Sequence, residues 1–140
     1  MKKALIVHQS IKGNTRKYGE EIGKFLREQG LESKVIAIED YKADDLQHIS
    51  YLFLGCWTSG LFLFFQHPDK AWIKVVSSIT IPEGLKLGLF TTYILATGTM
   101  FKSMKKHISA PTDGFIPELK SKNGFLSESD KNNLIRFIAD

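Results

Sequence analysis

Ala4-Leu5-Ile6-Val7, followed after His8 and Gln9 by Ser10-Ile11-Lys12-Gly13-Asn14-Thr15, decides the fold. An apolar strand runs into a short loop of small and polar residues, and a helical pattern starts inside that loop. Such a turn leaves backbone N–H groups unpaired at a helix N-terminus, where the dipole also favours an anion. Gly13 lets the backbone approach a ligand closely because it has no Cβ. Ser10, Asn14 and Thr15 offer short donors that can close around a phosphate. The loop also fits an ordinary strand-to-helix turn capped by Asn14 or Thr15, and this stretch alone leaves both readings open.

Outward from this loop, apolar β-rich runs alternate with helical patterns. Strands are expected at residues 3–8, 34–38, 51–56, 86–93 and 114–117. The first, third and fourth are nearly continuous apolar runs, as parallel strands covered on both faces require. Tyr18, Ile22, Phe25 and Leu26 mark the buried stripe of a helix over residues 15–29, with Gly30 placed to end it. Gly19 and Gly23 are spaced to let that helix approach the sheet. Further helices are expected at 44–48, at 69–77 (Ala71, Trp72, Val75 and Val76 inward) and at 98–108 (Met100, Phe101, Met104 and Ile108 inward). The last helix opens with the near capping box Ser127-Glu128-Ser129-Asp130 and buries Leu134, Ile135, Phe137 and Ile138. The alternation predicts one α/β domain over residues 1–140: a doubly wound five-stranded parallel sheet of order 2-1-3-4-5 in three α/β/α layers. Ligands of such sheets bind at the carboxyl ends of the strands, at the switch point between the first and third. Three loops then converge on one crevice: the first loop, Gly55-Cys56-Trp57-Thr58-Ser59-Gly60, and Thr91-Thr92-Tyr93-Ile94-Leu95-Ala96-Thr97-Gly98.

Bulk composition narrows the function classes. Of 140 residues, 43% are hydrophobic and 24% charged, which suits a soluble globular chain. No apolar run approaches the roughly 18 residues needed to cross a bilayer, so no membrane span is expected. One cysteine, Cys56, excludes an internal disulfide, and with no signal-peptide core it suits the cytoplasm. His8, His48, His67 and His107 are scattered without ligand spacing, so no metal site is expected. Net charge is +4, and it is uneven: residues 35–69 carry one lysine against five acids, residues 70–122 eight lysines against three. Such a two-signed surface suits partner docking as well as plain solvation. Lys102, Lys105 and Lys106 are the only compact basic cluster, and nucleic-acid binding is not expected.

The whole chain resembles the flavodoxin family in the order and length of its elements. Ser10-Ile11-Lys12-Gly13-Asn14-Thr15 is similar to that family's FMN phosphate loop, and Trp57-Thr58-Ser59-Gly60 is similar to its aromatic flavin loop. Residues 91–98 fall where its third loop lies. The resemblance implies non-covalent FMN and electron transfer between redox partner proteins. It implies that Ser10, Ile11, Lys12, Gly13, Asn14 and Thr15 surround the phosphate, and that Trp57 stacks on the isoalloxazine with Thr58, Ser59 and Gly60 nearby. The segment from Thr91 and Thr92 through Tyr93 to Ala96 would receive the ring's polar edge, with Tyr93 a second stacking candidate.

Some features depart from that family. Lys12 stands where a threonine hydroxyl is usual; its ammonium can pair with the phosphate or its stem can obstruct the cradle. The third loop lacks the usual glycines and acids, and the chain is basic, which points to a less reducing flavin. Two other functions stay open: a small FMN-dependent reductase acting on a bound substrate, and a fold that has lost FMN and serves as a binding module. Leu61-Phe62-Leu63-Phe64-Phe65 is the oddest segment, readable as a lid over the flavin, a partner or homodimer surface, or local core. Cys56 reads as a buried strand residue, with no second cysteine for dithiol chemistry.

Overall fold

A computed structural model of the chain describes residues 1–58, 67–94, 96–109 and 114–139. Five strands form one parallel sheet: β1 (Lys3–Gln9), β2 (Glu32–Ala37), β3 (Tyr51–Trp57), β4 (Lys86–Thr92) and β5 (Glu118–Ser121). Their order is β2-β1-β3-β4-β5, as the alternation predicts, and every pair is parallel. The helices are α1 (Asn14–Glu28), α2 (Lys70–Val76), α3 (Met100–Lys106) and α4 (Glu128–Ile138).

Strand alternation sorts the core into two layers. Leu5, Val7, Leu52, Leu54, Leu87 and Leu89 face α2 and α3, meeting Trp72, Val76, Phe101 and Met104. Ile6, Tyr51, Phe53 and Phe90 face α1 and α4, meeting Tyr18, Ile22, Leu26, Leu134 and Phe137. Strands buried on both faces cannot alternate in polarity, which explains the unbroken apolar runs of β1, β3 and β4. Gly19 and Gly23 give α1 its close approach: a Cβ at Gly19 would lie 3.3 Å from Ile6, and one at Gly23 would lie 2.8 Å from Val35. Between β3 and β4, Phe53 is registered with Gly88 and Gly55 with Phe90. Each ring occupies the space a Cβ on the opposite glycine would need, 2.6 Å away at Gly88 and 2.1 Å at Gly55.

Three expectations need correction. The fifth strand lies at Glu118–Ser121, not at 114–117. It pairs only with β4, so it alternates exposed Glu118 and Lys120 with buried Leu119 and Ser121. The apolar residues preceding it are not a strand: Phe115 is exposed and meets Phe137 edge-on at 6.3 Å. The helix expected at 44–48 is a single 3₁₀ turn, Ala43–Leu46, within the β2–β3 crossover. On two helices the buried face differs from expectation: in α4, Ile135 is exposed while Leu134 and Phe137 are buried, and in α2, Ala71 is exposed while Trp72 and Val76 are buried.

Two caps fix helix ends as the sequence implies. The Ser127 Oγ accepts from the Asp130 N–H at 3.0 Å, and the Asp130 carboxylate accepts from the Ser127 N–H at 3.4 Å. That carboxylate also accepts the Tyr18 hydroxyl at 2.5 Å, joining α4 to α1. Burial and the adjacent carboxylate push the Tyr18 phenol well above its ordinary range. Asp69 caps α2 through the Ala71 N–H at 2.8 Å.

Candidate functional site at the carboxyl edge of the sheet

Because all strands are parallel, β1, β3 and β4 end on one edge, and the chain leaves each through a loop. After β1 the backbone turns sharply at Gly13, whose φ of 93° is left-handed. A Cβ there would meet nothing within 4 Å. Glycine is therefore required by the backbone conformation and not by crowding from the protein itself. Helix α1 begins directly at Asn14 with no side-chain cap, so neither Asn14 nor Thr15 plays the capping role that a plain turn would give it. Ser10 Oγ instead accepts from the Gly13 N–H at 2.8 Å. The first bond closing onto α1 runs from the Lys17 N–H to the Gly13 carbonyl. The Asn14, Thr15 and Arg16 amides ahead of it find no acceptor among the described residues, which leaves three donors at the positive helix end.

Beside these donors lies a cleft of about 320 Å³. Ser10, Ile11, Lys12, Asn14 and Thr15 form its first wall, Trp57 and Thr58 its second, and Thr92, Tyr93, Ile94 and Lys122 its third. The Thr15 hydroxyl is buried and bonded to that of Thr92 at 2.6 Å, tying the first turn of α1 to the end of β4. Thr58 bonds across from β3 to β4 twice, its N–H to the Thr92 carbonyl at 2.8 Å and its hydroxyl to that of Thr91 at 2.8 Å. Trp57 is half-buried against the α2/α3 core layer. Its Nε1 is buried and unpartnered among the described residues, so the indole presents carbon, not its donor, to the cleft. Lys12 is exposed and joins no ion pair among the described residues, which leaves its ammonium available.

Not every residue expected at the site reaches it. Gly13 lines a neighbouring cavity on the β2 side. Thr91 faces the opposite layer from Thr92 and donates to the Cys56 carbonyl at 2.6 Å, so its side chain is structural. Ala96 is half-buried and lies outside the cleft lining. Ser59, Gly60 and the Leu61-to-Phe65 segment lie outside the described residues. Ile94 lines the wall from within the expected third loop, and Lys122 joins it from outside the three expected loops, its ammonium 5.8 Å from the centre of the Tyr93 ring. Ser121 folds the loop that carries Lys122, accepting from the Gly124 N–H at 2.9 Å. That loop packs on α1, with the Lys17 ammonium 3.4 Å from the centre of the Phe125 ring. The turn residues Ser121-Lys122-Asn123-Gly124 were the available signal, once the fifth strand is placed immediately before them.

The electrostatics of the cleft are one-sided. Its lining holds two lysines and no carboxylate among the described residues. Cys56, just below, is buried, accepts from the Asp69 N–H at 3.3 Å, and has its thiol pushed up to about 12 by burial. Burial thus disfavours its thiolate. A larger hollow of about 990 Å³ opens at the opposite edge, near the starts of β3 and β4 at Ser50, Tyr51 and Lys86. No group of three or more His, Cys, Asp or Glu side chains is placed to hold a metal among the described residues.

The chain is 29% identical over 104 residues to a flavodoxin of Clostridium beijerinckii, covering 74% of each protein. The chain is thus similar in sequence to a flavodoxin. Its fold superposes on that of Megasphaera elsdenii flavodoxin in the two-electron reduced state, with a TM-score of 0.73 and 20% identity over 93% of this chain and 94% of that one. A Streptococcus pneumoniae flavodoxin gives 0.67 and 16% over 96% and 94%. No family model matches the sequence. No helix among the described residues is long and apolar enough to cross a membrane.

Proposed function

We propose that this protein holds FMN non-covalently in the carboxyl-edge cleft and carries electrons between redox partner proteins of the cytoplasm. The observation that supports this most directly is the presence, in one cleft, of three amides at the start of α1 with no acceptor among the described residues and of two aromatic side chains, Trp57 and Tyr93. The donors suit a dianionic phosphate and the aromatics suit a flat conjugated ring. Bound FMN supplies reversible one- and two-electron chemistry. The chain's own part is to bind, orient and tune it.

In this assignment the Asn14, Thr15 and Arg16 amides and the Ser10 hydroxyl receive the phosphate, and the Lys12 ammonium adds a mobile positive charge. Trp57 and Tyr93 position the ring, while Ile11 and Ile94 shield it from water at the mouth. Lys122 places a second cation beside Tyr93. Positive charge with no opposing carboxylate favours the reduced, anionic flavin over the oxidised one and so raises its reduction potential. The free donors and the unencumbered Lys12 also argue against the reading in which the fold has lost FMN.

The test is reconstitution. Protein purified with excess FMN and desalted should be yellow, with one flavin per chain, and should pass electrons to an added acceptor protein only after external reduction. A colourless protein that fails to quench added FMN refutes the assignment. Oxidation of a nicotinamide nucleotide by the isolated holoprotein would transfer it to the reductases.

A further inference from the structure

Charge is sorted along the same edge that carries the cleft. At the β2 end, Glu20, Glu39 and Asp40 line a cavity of about 540 Å³, with Arg16 already paired to Glu20 at 3.0 Å. At the β5 end, Lys102, Lys105 and Lys120 line a cleft of about 470 Å³, and Lys122 lies two residues beyond Lys120. Among the described residues the one acid of that cleft is Glu118, which is bound to Lys105 at 2.5 Å. Lys102, Lys120 and Lys122 pair with no carboxylate among the described residues. Between the two poles Ile11, at 62%, and Ile94, at 85%, are exposed aliphatic side chains of the proposed flavin cleft.

We infer that the α3/β5 margin is the docking surface for an acidic redox protein, one whose cofactor edge is flanked by a cluster of carboxylates. The inference rests on the proposed flavin site, since electrons must pass near that mouth. Uncompensated lysines attract carboxylates over a Debye length and speed encounter. Electrostatic steering fixes orientation more than it adds affinity. Ile11 and Ile94 supply the small dry contact that a short-lived complex needs. Glu39 and Asp40 repel the same carboxylates from the β2 end, so the partner settles with its acidic patch over Lys102 and Lys120 and its cofactor over the mouth.

Plastocyanin, which carries an acidic patch, and cytochrome c, which is basic, serve as probes. Amide spectra of the ¹⁵N-labelled protein are titrated with copper(I) plastocyanin at about 0.01 M ionic strength, where the Debye length is roughly 30 Å. Shifts should appear at Lys102, Lys120 and Ile94 and vanish near 1 M salt. This arm needs no flavin, so it still reads the surface if the FMN assignment fails. In the second arm, holoprotein reduced with stoichiometric dithionite donates one electron, taking copper(II) plastocyanin to copper(I) while the flavin is oxidised by that electron. The rate should fall as salt rises and should drop roughly tenfold or more at low salt in the double variant Lys102→Glu/Lys120→Glu. FMN affinity and far-UV spectra should be unchanged in that variant. Glu39→Lys should leave the rate unchanged or raise it. Shifts centred on Glu39 and Asp40, a faster low-salt reaction with cytochrome c than with plastocyanin, or tighter binding of a single-stranded oligonucleotide to the same lysines would each overturn the inference.

Discussion

Removing only the phosphate from the ligand isolates what the first loop contributes, and riboflavin is that ligand. Three amides, on Asn14, Thr15 and Arg16, have no acceptor among the described residues, and each hydrogen bond to a charged oxygen contributes roughly 1.5–3 kcal/mol. Even at the lower bound the three together amount to about 4.5 kcal/mol, roughly a thousandfold in Kd. The helix dipole adds about 0.3–1 kcal/mol in the same direction. Apoprotein titrated with each flavin, followed by the quenching of flavin fluorescence, should therefore bind riboflavin at least about a thousandfold more weakly than FMN. Gly13→Ala sharpens the assignment: the new Cβ meets open space, so only the left-handed backbone, costing about 1–2 kcal/mol, opposes it. That cost should surface as weaker FMN binding or lower stability, with riboflavin affinity changing no more than FMN affinity. Riboflavin binding within tenfold of FMN would show that the amides do not hold the phosphate, and the reasoning would fail.

Four shorter expectations accompany it. Trp57→Ala should weaken FMN binding about tenfold, since stacking adds roughly 0.5–1.5 kcal/mol beyond the area it buries, and should partly restore flavin fluorescence; unchanged quenching would make Trp57 a packing residue only. Lys12→Thr should weaken FMN binding at low salt and flatten its ionic-strength dependence, whereas tighter binding would mean that the lysine stem obstructs the cradle. Cys56, with its thiol pushed up to about 12 from an ordinary 9.0, should react with iodoacetamide at pH 8 about a thousandfold more slowly than an exposed thiol; rapid labelling of native protein would contradict its burial. His8 is held below its ordinary 6.5 by burial and by Arg16, with Nδ1 unpartnered. The fold thus favours its neutral form. Stability should be full above pH 6.5 and fall as pH drops from there through the lower folded value, and His8→Gln should flatten denaturation midpoints over that window.

The sequence was most legible where the physics was simplest. Strands β1, β3 and β4 are covered on both faces, so their apolar runs admit few other readings. Edge strand β5 is half-exposed, and its alternating Glu118-Leu119-Lys120-Ser121 was overshadowed by the more apolar Phe115-Ile116 just before it. That displacement also hid Lys122, because a residue is recognised at a crevice only when the strand before it is correctly ended. The first loop was readable as a bare helix N-terminus following a strand. The third loop was readable only as a segment: alternation sends Thr92 to the Thr15 side and Thr91 to the Cys56 side, a distinction that needs the strand's phase and not only its position. In the β2–β3 crossover Asp44 and Asp45 resemble a helix start, whereas the chain makes two short 3₁₀ turns, Ile38–Asp40 and Ala43–Leu46.

The reciprocal placement of Phe53 on Gly88 and Phe90 on Gly55 does more than fill space. Slipping one strand past its neighbour by a single residue would turn its buried side chains to the other face, and patterning alone rejects that. A slip of two residues keeps every side chain on its own face, so apolar β3 and β4 would accept it on polarity alone. Here one such slip would set Phe53 opposite Phe90, ring against ring. The slip in the other direction would set Gly55 opposite Gly88 over a void and Phe53 opposite Lys86. Only the native offset gives each ring a hollow. The four positions therefore work as a lock that selects one alignment among those hydrophobicity cannot tell apart, and with it the level at which Trp57 and Thr92 meet across the cleft.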